Sequence, residues 1–190
     1  MFKILIRSLC LSLLLIGATE AKQVPDAELR ALLTKTVSES SSFYDRFDAE
    51  VWLVDMSGRL KRYIKDPEQR LELLKRVHAE AKHAGLEPEL VMSLIHVESA
   101  FKRFAISSVG AQGLMQVMPF WKKEIGRPDD NLTTVDTNLR YGCTILKHYI
   151  DKENGNLIRA LARYNGSLGK IKYPEKVLRF WQTYWFVNHQ

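Results

Sequence analysis

Apolar residues recur at helical spacing along most of the chain, and Pro, Gly and capping residues divide the pattern into short segments. The segment from Asp66 to about Ala84 shows the rule. Asp66 is an N-cap, Pro67 tolerates the missing N–H of a first helical position, and Glu68 suits the positive end of the helix dipole. The apolar face of this segment comprises Leu71, Leu74, Val77 and Ala81. Because helical segments joined by short turns account for nearly the whole sequence, we predict a mainly α fold.

The other predicted helices follow from the same start and stop signals. They span about residues 25–37, 43–64 with a turn at Gly58, 88–101, 114–118, 136–151, 156–164 and 175–185. Pro119 ends the 114–118 helix, and Tyr173-Pro174 is predicted to break the chain before the last helix. Gly110 and Gly113 predict tight backbone, either a loop that lines a cleft or a small hairpin.

The helix predicted at 88–101 carries one carboxylate on its apolar face. That face comprises Val91, Leu94 and Ile95, at positions i, i+3 and i+4. Glu98 occupies position i+7, where burial and the negative end of the helix dipole both favour a raised pKa. A carboxylic acid that stays protonated near neutral pH can act as a general acid. The alternative is an ordinary glutamate that pairs with Lys102 or Arg103 or points into solvent.

Three motifs surround and follow this glutamate. They are Glu98-Ser-Ala-Phe, the block SSVGAQGLMQVMP at 107–119, and ARYNG at 162–166. In this order and spacing they resemble the catalytic domain of the soluble lytic transglycosylases, the peptidoglycan-cleaving branch of the lysozyme-like superfamily. The resemblance covers about residues 76–170. It implies a lysozyme-like helical domain at 76–190, preceded by an N-terminal helical extension at 22–75.

The resemblance also implies an activity. Such an enzyme cleaves the β-1,4 bond between N-acetylmuramic acid and N-acetylglucosamine in peptidoglycan glycan strands and consumes no water. The muramic acid 6-hydroxyl attacks its own anomeric carbon and leaves a 1,6-anhydro ring, while Glu98 acts first as acid and then as base. No acidic residue lies between Phe101 and Trp121, and an internal nucleophile needs no second carboxylate. A hydrolytic lysozyme-type muramidase and a non-catalytic peptidoglycan-binding module are the alternatives.

Further site residues are implied by the matching motifs. Ser107 resembles a serine that contacts the N-acetyl region beside the cleaved bond, and Gln116 a glutamine that lines the cleft and bonds substrate. Tyr164 resembles the tyrosine whose hydroxyl approaches the catalytic glutamate. Asn165 either bonds sugar or only ends its helix. Met115 contributes to the apolar floor of the cleft, a position that core packing explains equally well.

The composition of the chain limits the partners and cofactors that we expect. The chain has 28 basic and 22 acidic residues, a formal net charge of +6, which suits an anionic cell wall. The basic residues are scattered and form no nucleic-acid-binding motif, so we expect no nucleic acid partner. The five histidines show no ligand spacing, so we expect no metal and no cofactor. We predict a monomer in which Cys143, set in a helical pattern, is buried and unpaired.

The first 21 residues resemble a signal peptide. Lys3 and Arg7 give a basic start, residues 9–16 form a short apolar run, and Thr19-Glu20-Ala21 offers small residues at the usual cleavage spacing. We therefore expect cleavage after Ala21 and a periplasmic location. A retained anchor that associates the protein with the membrane is the alternative, and N-terminal sequencing of the exported protein distinguishes the two.

Overall fold

The computed structural model describes residues 27–38, 41–43 and 45–187. These residues form eight α-helices and a π-helical turn, and they contain no β-strand. The helices are α1 (Ala27–Ser38), α2 (Arg46–Leu60), α3 (Pro67–His83), α4 (Pro88–Glu98), α5 (Trp121–Ile125), α6 (Val135–Lys152), α7 (Leu157–Tyr164) and α8 (Lys172–Phe180), and the π-helical turn is Trp181–Trp185. The predicted mainly α class is confirmed. Among the described helices, none has the length and apolar character that a membrane crossing requires.

The helix starts follow the capping signals in the sequence. The Asp66 carboxylate accepts a hydrogen bond of 2.8 Å from the Gln69 N–H at the start of α3. The Asn156 side chain likewise accepts a bond of 3.1 Å from the Arg159 N–H at the start of α7. Each cap satisfies a backbone donor that a helix start leaves without an internal partner. The predicted starts of these two helices are confirmed.

Two predicted breaks in helices are wrong. Gly58 lies inside α2 and not in a turn, because the helix continues through it to bury Leu60. Tyr173 and Pro174 lie in the first turn of α8. A proline is tolerated there because the first N–H groups of a helix have no internal acceptor. Packing of the flanking apolar positions thus outweighs the local signal at both sites.

The predicted short helix at 114–118 is also wrong. Residues 113–116 form a turn, and an antiparallel bridge between Gln112 and Val117 closes it. A second bridge joins Gln112 to Ile106. Gln116 has φ of 50°, in the left-handed region. The segment is therefore closer to the small hairpin that Gly110 and Gly113 suggest than to a helix.

Helix α3 is central to the packing. It contacts α1, α2, α4 and α6, and α4 in turn packs against α8 and the π-helical turn. The predicted apolar face of α3 is fully buried; Leu71, Leu74, Val77 and Ala81 are each at most 1% exposed. Cys143 on α6 is buried as expected, and this burial raises the pKa of its thiol.

The proposed boundary between residues 75 and 76 falls inside α3. The Trp52 indole N–H on α2 donates a buried hydrogen bond of 2.6 Å to Glu89 Oε1 on α4. Side-chain bonds therefore tie the N-terminal helices to the remainder of the chain. The predicted signal peptide and Pro25, expected to open the first helix, lie outside the described residues.

The contact between α6 and the 113–116 turn leaves no room for a side chain at Gly142. A Cβ there would lie 2.3 Å from Met115 Sδ and 2.7 Å from Met115 Cβ. We expect Gly142→Ala to lower the free energy of unfolding by about 1–3 kcal/mol, because the core must shift. Gly58→Ala is the control in an exposed helical position with nothing within 4 Å. It should raise stability by about 0.4–1 kcal/mol by restricting the unfolded chain. Urea unfolding measures both, and equal effects would contradict this packing.

Candidate active site

Glu98 is the last residue of α4, so the helix ends earlier than the predicted 101. The two residues after Ser99 reverse the chain, because Ala100 and Phe101 have φ of 49° and 64°. Left-handed backbone at residues other than glycine costs about 1–2 kcal/mol each, and such strain is enriched at functional sites. Phe101 is only 6% exposed. Burial of its ring therefore holds the reversal that leaves Glu98 at the end of the helix.

The Glu98 carboxyl group lies where it can hold or release a proton near neutral pH. Burial raises its pKa from 4.5 to about 7, because the carboxylate loses hydration. A hydrogen bond from Tyr173 and the positive charge of Lys176 oppose this effect and lower the pKa. The net direction is the one that the apolar position of Glu98 predicts. A side chain with this pKa can donate a proton in one step and accept one in the next.

Tyr173 is the direct partner of Glu98, and sequence reasoning missed it. Its hydroxyl donates a short hydrogen bond to Glu98 Oε1. Burial and the nearby Glu98 carboxylate both raise the pKa of Tyr173, so its hydroxyl stays protonated. The available signal was the spacing of Tyr173 from Val177. Val177 lies one helical turn further along α8 and is 0% exposed. That signal was obscured because Tyr173-Pro174 was interpreted as a chain break.

Tyr164, predicted to approach the glutamate, has a different hydrogen-bond partner. Its hydroxyl donates to the Met115 carbonyl oxygen at 2.8 Å. Its pKa is raised first by burial and then by the charge of Glu98. The structure thus assigns the direct contact with Glu98 to Tyr173, whereas Tyr164 joins the end of α7 to the 113–116 turn.

Ser107 and Gln116 lie on the loop that follows α4. Ser107 Oγ accepts a hydrogen bond of 3.0 Å from the Ala111 N–H, which leaves its hydroxyl hydrogen available to a ligand. Gln116 Nε2 donates to the carbonyl oxygens of Ala105 and Gly113, at 3.2 and 2.9 Å. Its amide oxygen is therefore the group that could accept a bond from a ligand. Both side chains are half-buried.

A buried asparagine on α6 fixes this loop and was also missed. Asn138 is 1% exposed; its Oδ1 accepts from the Met115 N–H at 2.7 Å, and its Nδ2 donates to the Gln112 carbonyl oxygen at 2.8 Å. Gly113, at φ of 76°, passes so close that a Cβ would lie 2.4 Å from Asn138 Nδ2. The Met115 side chain is 0% exposed, which agrees with the core-packing alternative. Met115 contributes its main-chain carbonyl oxygen, which accepts the hydrogen bond from Tyr164.

The structure joins some predicted residues and leaves others apart. Glu98 contacts Tyr173, which the sequence did not predict as a site residue, and the predicted Tyr164 bonds to the Met115 carbonyl oxygen. Asn165 is exposed at the end of α7, and its side-chain Nδ2 donates to Ser167 Oγ at 3.1 Å. Its geometry therefore suits the helix-ending alternative as well as a sugar contact.

A cavity of about 730 Å³ lies elsewhere in the molecule. It is bounded by α1, the start of α3 and the loop after α4, and its lining includes Asp66, Glu68, Phe101, Arg103 and Val135. Glu98 is not among its lining residues. This cavity is therefore not the cleft predicted in front of Glu98.

Comparison with known proteins identifies a family. The family described as "Transglycosylase SLT domain" has a model that matches residues 76–179, more than half of the chain. The transglycosylase of Enterobacteria phage PRD1 is 30% identical over 110 residues, which cover 54% of this chain and 40% of the phage protein. Membrane-bound lytic murein transglycosylase C of Haemophilus ducreyi is 30% identical over 107 residues, which cover 48% of this chain and 29% of that protein. The chain spans less than half the length of these curated relatives.

One solved structure to which the chain is similar is that of an inactive mutant of lytic transglycosylase Slt from Pseudomonas aeruginosa. It is 25% identical, with a TM-score of 0.46, over 76% of this chain and 31% of that chain.

The hydrogen bond from Tyr173 can be tested through the titration of Glu98. Because that bond stabilises the ionised carboxylate, we expect Tyr173→Phe to raise the pKa of Glu98 above about 7. NMR titration of the labelled carboxyl carbon measures it. Tyr141→Phe, which removes a hydroxyl that donates to the Asp130 carboxylate, is the control. An unchanged Glu98 pKa in Tyr173→Phe would show that the bond is not formed in solution.

The raised pKa also predicts a pH-dependent effect on stability. Between pH 4.5 and 7 the folded state holds a proton on Glu98 that the unfolded state has lost, so stability falls as pH rises. Glu98→Gln removes this penalty. We expect the variant to match the wild type at pH 4 and to exceed it at pH 8 by up to about 3 kcal/mol. Urea unfolding at both pH values provides the measurement, and equal stability at pH 8 would indicate that Glu98 is hydrated.

Proposed function

The chain belongs to the transglycosylase SLT domain family, and we propose that it is a lytic transglycosylase that cleaves peptidoglycan glycan strands. The bond broken is the β-1,4 linkage between N-acetylmuramic acid and N-acetylglucosamine, and the product carries a 1,6-anhydro ring. The observation that carries the proposal is the half-buried Glu98 at the end of α4, which has a pKa of about 7 and accepts a hydrogen bond from Tyr173. The names of the related proteins support the same activity.

Glu98 serves as the single acid and base of the proposed reaction. In its protonated form it donates a proton to the glycosidic oxygen as the bond to the anomeric carbon breaks. The carboxylate then accepts the proton of the muramic acid 6-hydroxyl as that oxygen bonds to the same carbon. The proton donated in the first step is recovered in the second, so no water is consumed. A pKa near neutral suits both directions of transfer.

The neighbouring groups have supporting roles in this proposal. Tyr173 orients the Glu98 carboxyl by binding Oε1 and leaves Oε2 to face the glycosidic oxygen. Ser107 donates its hydroxyl hydrogen to the N-acetyl group beside the cleaved bond, and the Gln116 amide oxygen accepts a bond from the sugar. Asn165, exposed at the end of α7, contacts a sugar hydroxyl.

The surroundings of Glu98 favour the internal nucleophile over hydrolysis. Within the described residues, the groups that shift its pKa are Tyr173 and Lys176, and neither is a carboxylate. Hydrolytic glycosidases generally use a second carboxylate to activate water or to attack the sugar. A single acid suffices when the substrate supplies its own attacking hydroxyl.

The substrate places the proposed activity in the cell envelope. Peptidoglycan is outside the cytoplasmic membrane, and the Haemophilus ducreyi relative carries the name of a membrane-bound enzyme. The signal peptide expected at residues 1–21 would deliver the chain to that compartment. The formal net charge of +6 suits an anionic wall.

Replacement of Glu98 tests the proposed function. We expect Glu98→Gln to abolish release of muropeptides from purified sacculi, because the amide cannot transfer the proton, with a loss of at least about 10²-fold. Mass spectrometry of the wild-type products should show 1,6-anhydro ends. Glu87→Gln, at the exposed opposite end of α4, is the control and should retain activity.

Three results would contradict the proposal. Full activity in Glu98→Gln would remove Glu98 from the chemistry. Reducing ends in place of anhydro ends would identify a hydrolase, and binding of sacculi without turnover would identify a binding module.

A further inference from the structure

Two segments outside the family match contact each other. The Arg59 guanidinium on α2 donates hydrogen bonds to the carbonyl oxygens of Tyr184 and Phe186, at 2.5 and 3.0 Å. In return, the Tyr184 hydroxyl donates to the Arg59 carbonyl oxygen at 2.8 Å. The family match covers residues 76–179, so both partners lie beyond its ends. These bonds fix the chain that follows α8 against the N-terminal helices.

The Arg59 side chain is held in place by its own helix. Its Nε and Nη2 atoms bind the two carboxylate oxygens of Asp55, at 2.9 and 2.5 Å. This two-point contact fixes the plane of the guanidinium and leaves Nη1 directed at the carbonyl oxygens of the C-terminal segment. A lysine could not make both sets of contacts, because it has one nitrogen. The geometry therefore depends on arginine.

The same C-terminal segment also contacts α4. The Trp185 indole N–H donates to His96 Nδ1 at 3.1 Å, and the Phe180 ring lies 3.9 Å from the imidazole, centroid to centroid. Because an indole N–H can only donate, His96 carries its proton on Nε2, which donates to the Tyr63 hydroxyl oxygen at 2.6 Å. Burial lowers the pKa of His96 to about 4, so the ring stays neutral at pH 7. Trp185 is 0% exposed.

Helix α8 therefore touches α4 at both of its ends. At its start Tyr173 binds Glu98, and at its end Phe180 contacts His96, two residues earlier on α4. Trp185, in the π-helical turn that follows α8, donates to the same ring. We propose that Arg59 is a positioning residue of the active site: by holding the C-terminal segment it keeps α8 seated on α4 and Tyr173 bound to Glu98. The N-terminal helical region would then contribute to the geometry of the active site. This inference rests on the proposed function of Glu98 as the acid.

A displacement of α8 would change the pKa of Glu98, because two of the groups that act on Glu98 lie on α8. The charge of Glu98 raises the pKa of Tyr164 on α7, and Tyr173 and Lys176 reach Glu98 from α8. Burial is the largest influence on its pKa, and α8 provides part of that burial. Looser seating of α8 admits water, which lowers the Glu98 pKa, and weakens the Tyr173 bond and the effect of Lys176, which raises it. Because burial is the largest of these influences, we expect a net fall towards 4.5.

The test replaces Arg59 with glutamine, which removes the charged donors. We expect the Glu98 pKa, followed by NMR titration, to fall, and the alkaline limb of the kcat profile to move to lower pH. We also expect kcat on soluble glycan strands to fall about tenfold, within the range for coupled residues, with little change in KM because Arg59 touches no substrate. Arg46→Gln, an exposed position on the same helix, is the control and should change neither value.

The outcomes separate positioning from general stabilisation. A lower Tm with an unchanged Glu98 pKa in Arg59→Gln means that Arg59 only stabilises the fold, and overturns the proposal. A rise of the kind expected for Tyr173→Phe means that the Tyr173 bond is lost while Glu98 stays buried, and supports the positioning role. The Glu98 pKa measured by NMR titration does not depend on catalytic turnover, so it tests the positioning role separately from the proposed function. If the wild type cleaves no glycan but the Glu98 pKa falls in the variant, the proposed function fails and the positioning role stands. If Arg59→Gln does not fold, Trp185→Phe decides, because it keeps a buried ring and removes the donor to His96; the same fall in pKa is expected.

Discussion

The site depends on the burial of one carboxyl group between α4 and α8. Hydration favours an ionised carboxylate, and the fold removes much of that hydration from Glu98, so that its pKa rises to about 7. The hydroxyl of Tyr173 offsets part of this change by binding one oxygen. Both effects require α8 to sit on the end of α4. The chemistry of the group is therefore set by how two helices pack and not by the acid alone.

The loop that carries Ser107 and Gln116 is held in a comparable way by α6. Asn138 on α6 satisfies the Met115 N–H and the Gln112 carbonyl oxygen, and the absence of side chains at Gly113 and Gly142 lets the backbone approach. Tyr164 closes the arrangement by binding the Met115 carbonyl oxygen. Buried polar groups that are fully paired specify one arrangement of a loop. Ser107 and Gln116 thus lie on a loop with a defined conformation.

The sequence predicted those features that local rules determine. Apolar spacing located Glu98 on a buried face, and capping residues located the starts of α3 and α7, because each depends on neighbours within one or two helical turns. Tyr173 was missed since its partner is 75 residues away. The helix predicted at 114–118 failed for a related reason: Asn138, distant in sequence, binds the backbone there and overrides helix propensity. Contacts between elements, which periodicity does not encode, account for both errors.

The ends of the family match do not coincide with the ends of helices, and this difference has a physical consequence. A match at 76–179 contains Glu98, Tyr164 and Tyr173, yet it begins inside α3 and stops one residue before the end of α8. Half of a helix cannot bury its apolar face alone, and α8 is held by Trp185 and by Arg59 from outside the match. A segment can therefore contain Glu98 and Tyr173 without containing all of the contacts that position them. For this chain, the segments that flank the family match supply contacts that keep Tyr173 bonded to Glu98.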